Sequence, residues 1–461
     1  MVKRSREDAC RTKGQDFLLQ TSRRNDNGAR QSMHPRSRHN IKDDYIALSR
    51  AFPVLKRHMK PNPKWKVTMP KHQMYHYDFN HPDAVYHLSR AILNHVYGIK
   101  FYLPCGCPHG SCDPYLRTER SDTDCPAFVD DEIPVQRYLA PCVPGRANYI
   151  HYLADLLNLS NNSPDTSADS SELKDDASNM KLQNILKGER VKVLDIGTGA
   201  NCIYPLIGSA EYGWSFIATD IDINALMLAK QNIQLNNMAK TVELRLQKDT
   251  LRMFTGVLMP HEFVHLTMCN PPFHSSLDQA NLNPRVSTCA TINELVFNPG
   301  MVATFSIDGF DLQKVNKNKF FVDGQVNYTF SSDASEHGEV AFVEIMLVES
   351  RFHAHNALWF TSLVARLSTL KRIKSHIQAD MKFYHNSKAK QVAFLNARIE
   401  DLNQVCESDQ RNDDIFRINV SDLHACEFRA FTLSQGKQTR WVIAWTYFNA
   451  AQRYKILKPL Y

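Results

Sequence analysis

Four consecutive residues in the middle of the chain, Asn270-Pro271-Pro272-Phe273, have the right chemistry to hold a planar amine. The Asn270 side-chain oxygen and the Pro271 carbonyl oxygen can each accept one N–H hydrogen bond from such an amine. The two prolines stiffen the loop, so these acceptors need little reorganisation, and Phe273 offers a flat face on which a base can stack. The alternative is a structural loop that ends a strand, with Phe273 in the core.

Earlier in the chain, another group of residues has the spacing of a nucleotide-binding turn. A strand-like run ends in Asp195-Ile196-Gly197-Thr198-Gly199. The two glycines permit a tight turn and a close approach of the backbone to a ligand, and the helix that follows presents free N–H groups. Asp220 ends the next strand-like run, where a carboxylate can accept hydrogen bonds from both hydroxyls of a ribose. The alternative role of Asp220, or of Asp222, is to cap the following helix.

Together these two groups indicate methyl transfer from S-adenosylmethionine to an amine, and adenine is the predicted acceptor. Asn201 and Cys202 stand where a dinucleotide-binding turn has its third glycine, which argues against NAD. The N6 amine of adenine is a poor nucleophile because its lone pair is delocalised into the ring. Alignment of this amine with the methyl group would therefore do most of the catalysis. A strong general base is not needed, since the proton can leave after the transfer.

Strand-like and helix-like runs alternate from residue 190 onwards, which predicts an α/β fold with a parallel sheet and ligands at the carboxyl ends of its strands. The predicted fold class is a Rossmann-like class I S-adenosylmethionine-dependent methyltransferase sheet with a helical, basic N-terminal extension. The predicted strands are VKVLDIG, SFIATDID, VELRLQ, FVHLTMCN, ALWFTSLVAR (with a turn) and RWVIAWTYF, and the predicted helices are INALMLAKQNIQLNN and EVAFVEIMLVES.

Changes in composition predict the domain organisation. Residues 1–33 are expected to be a disordered basic tail, in which Lys and Arg side chains could gain affinity for phosphates. Residues 34–158 are predicted to be a helical RNA-binding module with a Cys-rich insert at 101–145. A low-complexity linker over 159–184 and a methyltransferase domain over 185–461, with an insertion near 298–337, complete the division.

The bulk composition is that of a globular protein, with 461 residues, 43% hydrophobic and 22% charged, and a formal charge of +7. The apolar runs all fall short of the roughly 18 residues that a membrane helix needs, and the N-terminus lacks the apolar core of a secretion signal. We therefore expect a soluble intracellular protein, cytoplasmic or nuclear, with no membrane partner. A monomer is expected because one chain can supply both halves of the site.

These residues belong to longer blocks through which the chain resembles the bacterial 23S ribosomal RNA adenine-N6 methyltransferases of the RlmF family. It is also similar to their eukaryotic relatives that methylate U6 small nuclear RNA. The blocks run in order through most of the chain: HPRSRH (34–39), DFNHPDAV (78–85), VPGRANYIHYLADLL (143–157), VLDIGTGANCIYPLIG (193–208), EYGWSFIATD (211–220), CNPPFH (269–274), GEVAFV (338–343), WFTSLVAR (359–366) and QGKQTRWVIAWTY (435–447).

The resemblance implies roles for individual residues. Arg146 would contact the carboxylate of S-adenosylmethionine, and Thr250 would lie near its adenine, although Asp249 could be the matching residue. The target base would be held by Asn270, Pro271, Pro272 and Phe273. The implied cofactor-binding residues are Arg146, Asp195, Gly197, Gly199, Asn201, Asp220, Thr250 and Asn270, and the implied RNA-binding residues are Arg36, Arg38, Lys437 and Arg440.

The resemblance predicts large-subunit ribosomal RNA as the substrate, because the blocks around Arg146 and Gly199 look like the ribosomal enzymes. The polar stretch, the Cys-rich insert and the basic tail depart from a compact bacterial enzyme, so U6 small nuclear RNA is the alternative. A protein-glutamine methyltransferase is a further alternative, since Asn-Pro-Pro-aromatic loops also hold glutamine amides, usually with Tyr where this chain has Phe273. The last alternative is a non-catalytic RNA-binding factor, and the intact Asp220 and Asn270 argue against this alternative.

The Cys-rich insert contains residue types that can bind zinc, which takes such ligands in a tetrahedron. Their tight spacing is not that of a standard zinc finger, so the prediction is thiols in an irregular loop and no metal, with a zinc site as the alternative. The candidate ligands are Cys105, Cys107, His109, Cys112 and Cys125.

We expect metal analysis of the purified protein to find no stoichiometric zinc, because the tight spacing of these ligands is not that of a standard zinc finger. The matched variants are Cys107→Ser with Cys112→Ser, and Cys142→Ser as a control outside the tight cluster. Stoichiometric zinc that disappears in the double variant and persists in the control would contradict the prediction.

Overall fold

The computed structural model describes residues 33–40, 44–79, 82–103, 138–162, 185–274, 296–297, 338–403, 420–435 and 438–461, with four short strands between 306 and 326. The predictions for the tail (apart from residue 33), for most of the linker and for most of the insertion near 298–337 lie outside these residues. The same holds for Lys437 and for the candidate zinc ligands Cys105, Cys107, His109, Cys112 and Cys125.

The described chain alternates helices and strands. The strands are β1 (Met59–Pro61), β2 (Tyr75–Tyr77), β3 (Lys192–Ile196), β4 (Ser215–Asp220), β5 (Val242–Leu246), β6 (Val264–Cys269), β7 (Ser306–Ile307), β8 (Phe310–Asp311), β9 (Phe321–Val322), β10 (Gln325–Val326), β11 (Ala357–Val364), β12 (Glu427–Gln435) and β13 (Gln438–Thr446). The helices are α1 (Tyr45–Ala51), α2 (Pro82–Tyr97), α3 (Val143–Leu156), α4 (Ile203–Tyr212), α5 (Ile223–Leu235), α6 (Glu339–Ser350), α7 (Leu367–Asn403) and α8 (Ala450–Leu457).

A seven-stranded sheet in the order β12-β13-β11-β6-β3-β4-β5 organises the protein. The strands from β11 to β5 pair in parallel, whereas β13 pairs antiparallel with β11 and with β12. Because a parallel sheet is covered on both faces, its strands consist of continuous apolar runs. β11 is buried along its whole length, and Trp214, Trp359 and Trp445 are among the largest fully buried side chains. The strands and helices predicted from residue 190 onwards are confirmed.

The N-terminal region is less helical than its pattern predicted. Apolar residues at helical spacing after Tyr45 and after Val85 predict that residues 40–100 are mostly helical. The structure has α1 and α2 there, but the segment between them includes the antiparallel pair of β1 and β2. The pattern of RANYIHYLADLLN predicts an amphipathic helix over 146–158, and the structure confirms it as α3, which begins at Val143. The helix prediction failed between α1 and α2 because short strands with few buried residues leave little periodicity to detect.

The 37-residue helix α7 was not predicted. A buried polar cluster joins it to its neighbours: the Asp380 carboxylate pairs with Arg351 and accepts the Ala425 N–H at 2.8 Å. The same carboxylate lies 2.7 Å from His424 Nδ1. These contacts of Asp380 fix the position of α7 against the sheet, because separating the partners would leave a charge buried without its counter-charge.

Within the described part of the chain, no helix combines the length and the apolarity that crossing a membrane requires.

Replacing Asp380 with Ala should reduce the free energy of unfolding by about 3–5 kcal/mol, since the Arg351 charge would stay buried while the carboxylate that pairs with it is removed. Urea denaturation followed by circular dichroism measures this change. The matched control is Asp422→Ala, because Asp422 pairs across 3.2 Å with Lys390, whose side chain is 71% exposed. That exposed pair should cost at most about 1 kcal/mol. Equal losses in the two variants would contradict the assigned role of the buried cluster.

Candidate functional site

The glycine turn after β3 and the Asn-Pro-Pro-Phe loop after β6 lie side by side at one edge of the sheet. β3 and β6 pair in parallel with Ile196 opposite Cys269, so both turns leave the sheet at the same end. The strand order reverses here, and the carboxyl ends of strands beside such a reversal form a ligand crevice. A cavity of ≈ 390 Å³ opens at this point, and its volume is typical of a small-molecule site.

The glycine turn has the backbone conformation that its sequence predicted. Gly197 and Gly199 have φ angles of 70° and 64°, in the left-handed region, which side chains rarely adopt. The Thr198 N–H donates to the Thr219 carbonyl at 2.8 Å, which ties the turn to the end of β4. A Cβ atom on Gly197 would meet no other atom within 4 Å, so the space above this residue is open to a ligand.

Asp220 and Asp222 divide the two roles that the sequence left open. Asp222 caps α5, because its side chain accepts the Asn224 N–H at 2.9 Å. The oxygens of Asp220 accept the N–H groups of Gly199 at 2.8 Å and of Asp222 at 2.9 Å. Burial raises the pKa of Asp220. Each of its oxygens keeps a second lone-pair site, so this cavity-lining carboxylate can still accept hydrogen bonds from ribose hydroxyls.

Asp195 lies beneath the glycine turn. Its side chain is fully buried, and neither carboxylate oxygen has a well-formed hydrogen bond to a described residue. Burial raises its pKa to about 7, against a smaller opposing effect of Thr198, and the charge of Asp220 adds to the rise. Asp195 is not among the residues that line the cavity, so its predicted contact with a cofactor would be indirect.

Arg146 and Asn201 form the wall on the other side of the turn. Arg146, on α3, donates to the Tyr204 hydroxyl at 2.7 Å, and its guanidinium carbon lies 5.5 Å from the centre of that ring. Asn201 donates to the Leu139 carbonyl at 3.3 Å and thereby holds residues 138–142 beside the turn. A guanidinium has five N–H donors in all, so Arg146 can also bind a carboxylate in the cavity.

Thr250 lies at the exposed rim of the cavity. Asp249 accepts the Leu251 N–H at 2.9 Å instead of lining the cavity, which favours Thr250 over Asp249 as the ligand-facing residue. The backbone behind this rim is fixed by Glu349, a fully buried carboxylate that accepts the N–H groups of Met253 at 2.7 Å and Thr255 at 2.8 Å.

Asn270 presents an unsatisfied acceptor to the site. Its Oδ1 atom is buried and accepts no hydrogen bond from a described residue. An unsatisfied buried acceptor costs about 1–3 kcal/mol. Because Asn270 and Pro272 line the cavity, an N–H donor on a ligand would recover this energy. The amine-binding chemistry predicted for this loop therefore has a matching acceptor.

Phe273 is held between two arginines. Arg366 donates to the Phe273 carbonyl at 3.3 Å, and the guanidinium carbon of Arg440 lies 4.7 Å from the ring centre. The buried carboxylate of Glu339 accepts the Arg366 N–H at 3.2 Å and fixes that residue. Desolvation lowers the pKa of Arg440, and the charge of Arg146 lowers it further. Phe273 is partly exposed, which excludes the alternative of a core residue.

The residues predicted to touch RNA lie in different settings. Arg36 points inwards and donates to Asp155 at 2.6 Å and to the His151 carbonyl at 2.7 Å. Arg38 is at the surface, with 49% of its side chain exposed, and pairs with Glu211 at 2.8 Å. Of the described residues in this group, Arg440 lies beside the Asn-Pro-Pro-Phe loop, and Lys437 lies outside the described part of the chain.

The sequence assigned no role to Glu339, Arg366 or Glu349. The first two lie in the GEVAFV and WFTSLVAR blocks, which were a signal that these segments matter. Glu339 and Glu349 nevertheless occur in an apolar helical pattern, where a buried acid is recognisable only once its backbone partners are known. Glu349 fixes the segment of the cavity-lining Met253, and Glu339 fixes Arg366, whose side chain bonds to the Phe273 carbonyl.

The wall of the cavity is suited to positioning rather than to acid–base chemistry. Its carboxylates, Asp220 and Asp222, are engaged with backbone N–H groups. Burial raises the pKa of the Cys269 thiol well above its usual value. What remains in the wall is a set of acceptors and an arginine, which can orient two reactants against each other, while Phe273 follows the lining residue Pro272 without lining the cavity itself.

Comparison with known proteins identifies relatives over most of the chain. A family model described as RNA methyltransferase matches residues 27–110 and 127–383. The chain is 33% identical over 351 residues to "Ribosomal RNA large subunit methyltransferase F" of Bacteroides fragilis (strain YCH46), covering 76% of this chain and 91% of that protein. The protein of the same name from Serratia proteamaculans (strain 568) is 31% identical over 422 residues, covering 91% of this chain and 89% of that protein.

Solved structures of human proteins share the fold. The hMettl16 catalytic domain in complex with MAT2A 3'UTR hairpin 1 matches with a TM-score of 0.52 at 19% identity, covering 91% of this chain and 96% of that chain. The N-terminal domain of human METTL16 matches with a TM-score of 0.51 at 20% identity, covering 91% and 100%. This likeness concerns the fold, and with the sheet order it confirms the predicted fold class.

Replacing Asp195 with Asn should remove a pH-dependent loss of stability. Because folding raises the pKa of this carboxyl to about 7, the wild-type protein loses stability as the pH rises from the unfolded-state pKa towards 7. The variant cannot ionise at this position. The difference in free energy of unfolding, variant minus wild type, should therefore increase by about 2–3 kcal/mol between pH 5 and pH 8. Urea denaturation at both pH values, with the exposed Asp249→Asn as control, measures the difference. A pH-independent difference would contradict the buried ionisation.

Proposed function

Because the chain belongs to the RNA methyltransferase family, we propose that it transfers the methyl group of S-adenosylmethionine to the N6 amine of an adenine in large-subunit ribosomal RNA. The observation that carries this proposal is the unsatisfied Asn270 acceptor, which shares a cavity with the glycine turn. The names of the relatives at 31–33% identity support ribosomal RNA as the substrate class. One chain contributes every residue described in the site, so we expect a monomer.

The residues of the cavity fit S-adenosylmethionine. Asp220 retains acceptor sites for two ribose hydroxyls, Arg146 offers donors to a carboxylate, and the space above Gly197 is open. Thr250 lies at the rim where the resemblance implies the adenine. When bound, the cofactor supplies an electrophilic methyl group on a positively charged sulfur.

The loop after β6 supplies the amine half of the reaction. Asn270 Oδ1 and the Pro271 carbonyl would accept the two N–H groups of adenine N6, which draws the nitrogen lone pair out of conjugation and towards the methyl donor. Phe273 would support the base by stacking. The prolines keep the acceptors in place, so the alignment costs little reorganisation during the reaction. The proton of the methylated amine can leave to water afterwards.

The target adenine has to leave its stack to reach this loop, which costs a few kcal/mol and is easiest for an unpaired base. Arg440 is positioned to offset this cost, because its guanidinium already lies over the Phe273 ring. A base that enters would either share this cation–π arrangement or displace the arginine towards a phosphate. An RNA substrate implies an intracellular location, and the identity of the RNA decides between cytoplasm and nucleus.

Replacing Asn270 with Ala should reduce methyl transfer to RNA by about 10²–10³-fold, the usual effect of removing one preorganised polar contact to the reacting group. The assay follows label from S-adenosylmethionine into total RNA, and calorimetry checks that the variant still binds the cofactor. The matched control is Asn161→Ala, an exposed asparagine whose side chain donates to the Asp155 backbone carbonyl at 2.9 Å, away from the cavity.

The same assay separates the alternatives. Label in large-subunit ribosomal RNA supports the proposal, and label confined to small nuclear RNA would replace it with the U6 alternative. Label on protein glutamine would favour the protein-glutamine methyltransferase. A wild-type protein that labels neither RNA nor protein would leave a non-catalytic RNA-binding factor.

A further inference from the structure

A stripe of lysines runs along the solvent-facing side of α7. It comprises Lys371, Lys374, Lys382 and Lys388, of which all but the half-buried Lys374 are exposed, and His385 lies between the last two. At about 100° of rotation per residue these side chains fall within roughly one third of the helix circumference. We call these four lysines the lysine stripe.

The lysine stripe is not neutralised by the described part of the chain. Other cations on α7 are paired: Arg372 with Glu344 at 2.6 Å and Lys390 with Asp422 at 3.2 Å. Between residues 367 and 399 the only acid on the helix is Asp380, which is buried and engaged with Arg351. A solvated helix surface ordinarily mixes both signs at neighbouring turns. An unpaired stripe of one sign is therefore suited to a polyanion.

The stripe starts beside the target-base loop. α7 begins at Leu367, directly after Arg366, whose side chain bonds to the Phe273 carbonyl. With a rise of about 1.5 Å per residue, Lys371 lies roughly 6 Å along the helix axis and Lys388 roughly 32 Å. The positive charge thus extends away from the cavity over a distance that spans several phosphates of a nucleic acid. Binding a single small anion would not require so long a row of charges.

We propose that the lysine stripe binds the phosphate backbone of the RNA that flanks the target adenine. The inference rests on the proposed function, because it takes the RNA that presents the base at Phe273 to be the polyanion. Phosphate contacts of this kind fix the register of the RNA without reading its sequence. The stripe would therefore add affinity, and the loop after β6 would select the atom that reacts.

The test compares two four-lysine variants of the full chain. The stripe variant carries Lys371→Gln, Lys374→Gln, Lys382→Gln and Lys388→Gln, which preserve helix propensity because Gln and Lys are similar helix formers. The control variant carries Lys100→Gln, Lys230→Gln, Lys240→Gln and Lys455→Gln, which remove the same charge from exposed positions off α7. The probe is an RNA hairpin with one adenine in its loop, and its affinity is measured over a series of salt concentrations.

In the stripe variant, the slope of log affinity against log salt should become shallower by about 3, since each lost phosphate contact removes about 0.7–0.9. The RNA KM should rise at least about tenfold with kcat little changed, because the reacting groups are untouched. Two half-variants, at Lys371 with Lys374 and at Lys382 with Lys388, should each give about half of the slope change.

If the salt slope of the stripe variant equals that of the control variant, the proposal that the lysine stripe binds RNA is wrong, whether or not the protein methylates RNA. This outcome is distinct from failure of the proposed function, which would appear as no methyl transfer to RNA by the wild-type protein. A wild-type protein that methylates RNA while both variants keep its salt slope would leave the proposed function intact and remove the stripe. Loss of slope in only one half-variant would reduce the extended track to a local patch and contradict the proposal as stated.

Discussion

The site depends on the parallel pairing of β3 with β6, which sets Ile196 opposite Cys269. Strands that end level with each other at the point where the strand order reverses must release their loops into the same crevice. The glycine turn and the Asn-Pro-Pro-Phe loop are far apart in sequence, yet this register makes them two walls of one cavity. A shift of the register by one residue would send the side chains of β6 to opposite faces and separate the two halves.

Two buried polar side chains near the two loops, Asn270 and Asp195, lack a well-formed hydrogen bond to the described residues. Asn270 Oδ1 is without a donor among the described residues, and Asp195 is buried with a raised pKa. By contrast, the buried carboxylate of Glu349 accepts backbone N–H groups of the segment that contains the cavity-lining Met253, and that of Glu339 accepts those of Ala365 and Arg366. An unsatisfied buried polar group costs stability, so the hydrogen bonds that Glu339 and Glu349 make to the backbone contribute in the opposite direction.

The sequence was informative where one strong local pattern decided the structure. The apolar runs that became β3, β4 and β6 could be recognised because strands of a covered parallel sheet are apolar throughout. The glycines of the turn were informative because only glycine adopts that backbone readily. The cap of α5 could be narrowed to Asp220 or Asp222, and only the structure could choose, because both residues stand at the right place and the choice depends on which N–H each one reaches.

The rest could not be predicted because it depends on contacts between distant residues. α7 carries many polar residues on its outer face, and the paired acid Asp380 on its inner face interrupts the apolar pattern that would have marked it. Arg36 is a second example. The resemblance of its block implied a contact with RNA, whereas the structure shows its side chain bonded to Asp155 on α3. Sequence pattern identifies which segments matter, whereas the direction of a long charged side chain follows from tertiary partners.

This distinction bears on how the protein selects its RNA. In the proposed reaction Asn270 and Phe273 would recognise a planar amine, and many nucleobases and amides meet that requirement. An inward-facing Arg36 cannot add selectivity without giving up its bonds to Asp155 and the His151 carbonyl. Selection must therefore come from cations that are accessible outside the cavity, and from the cost of unstacking the base, which differs between paired and unpaired adenines. We therefore expect the protein to distinguish RNA substrates by their shape, while the loop after β6 holds the amine that reacts.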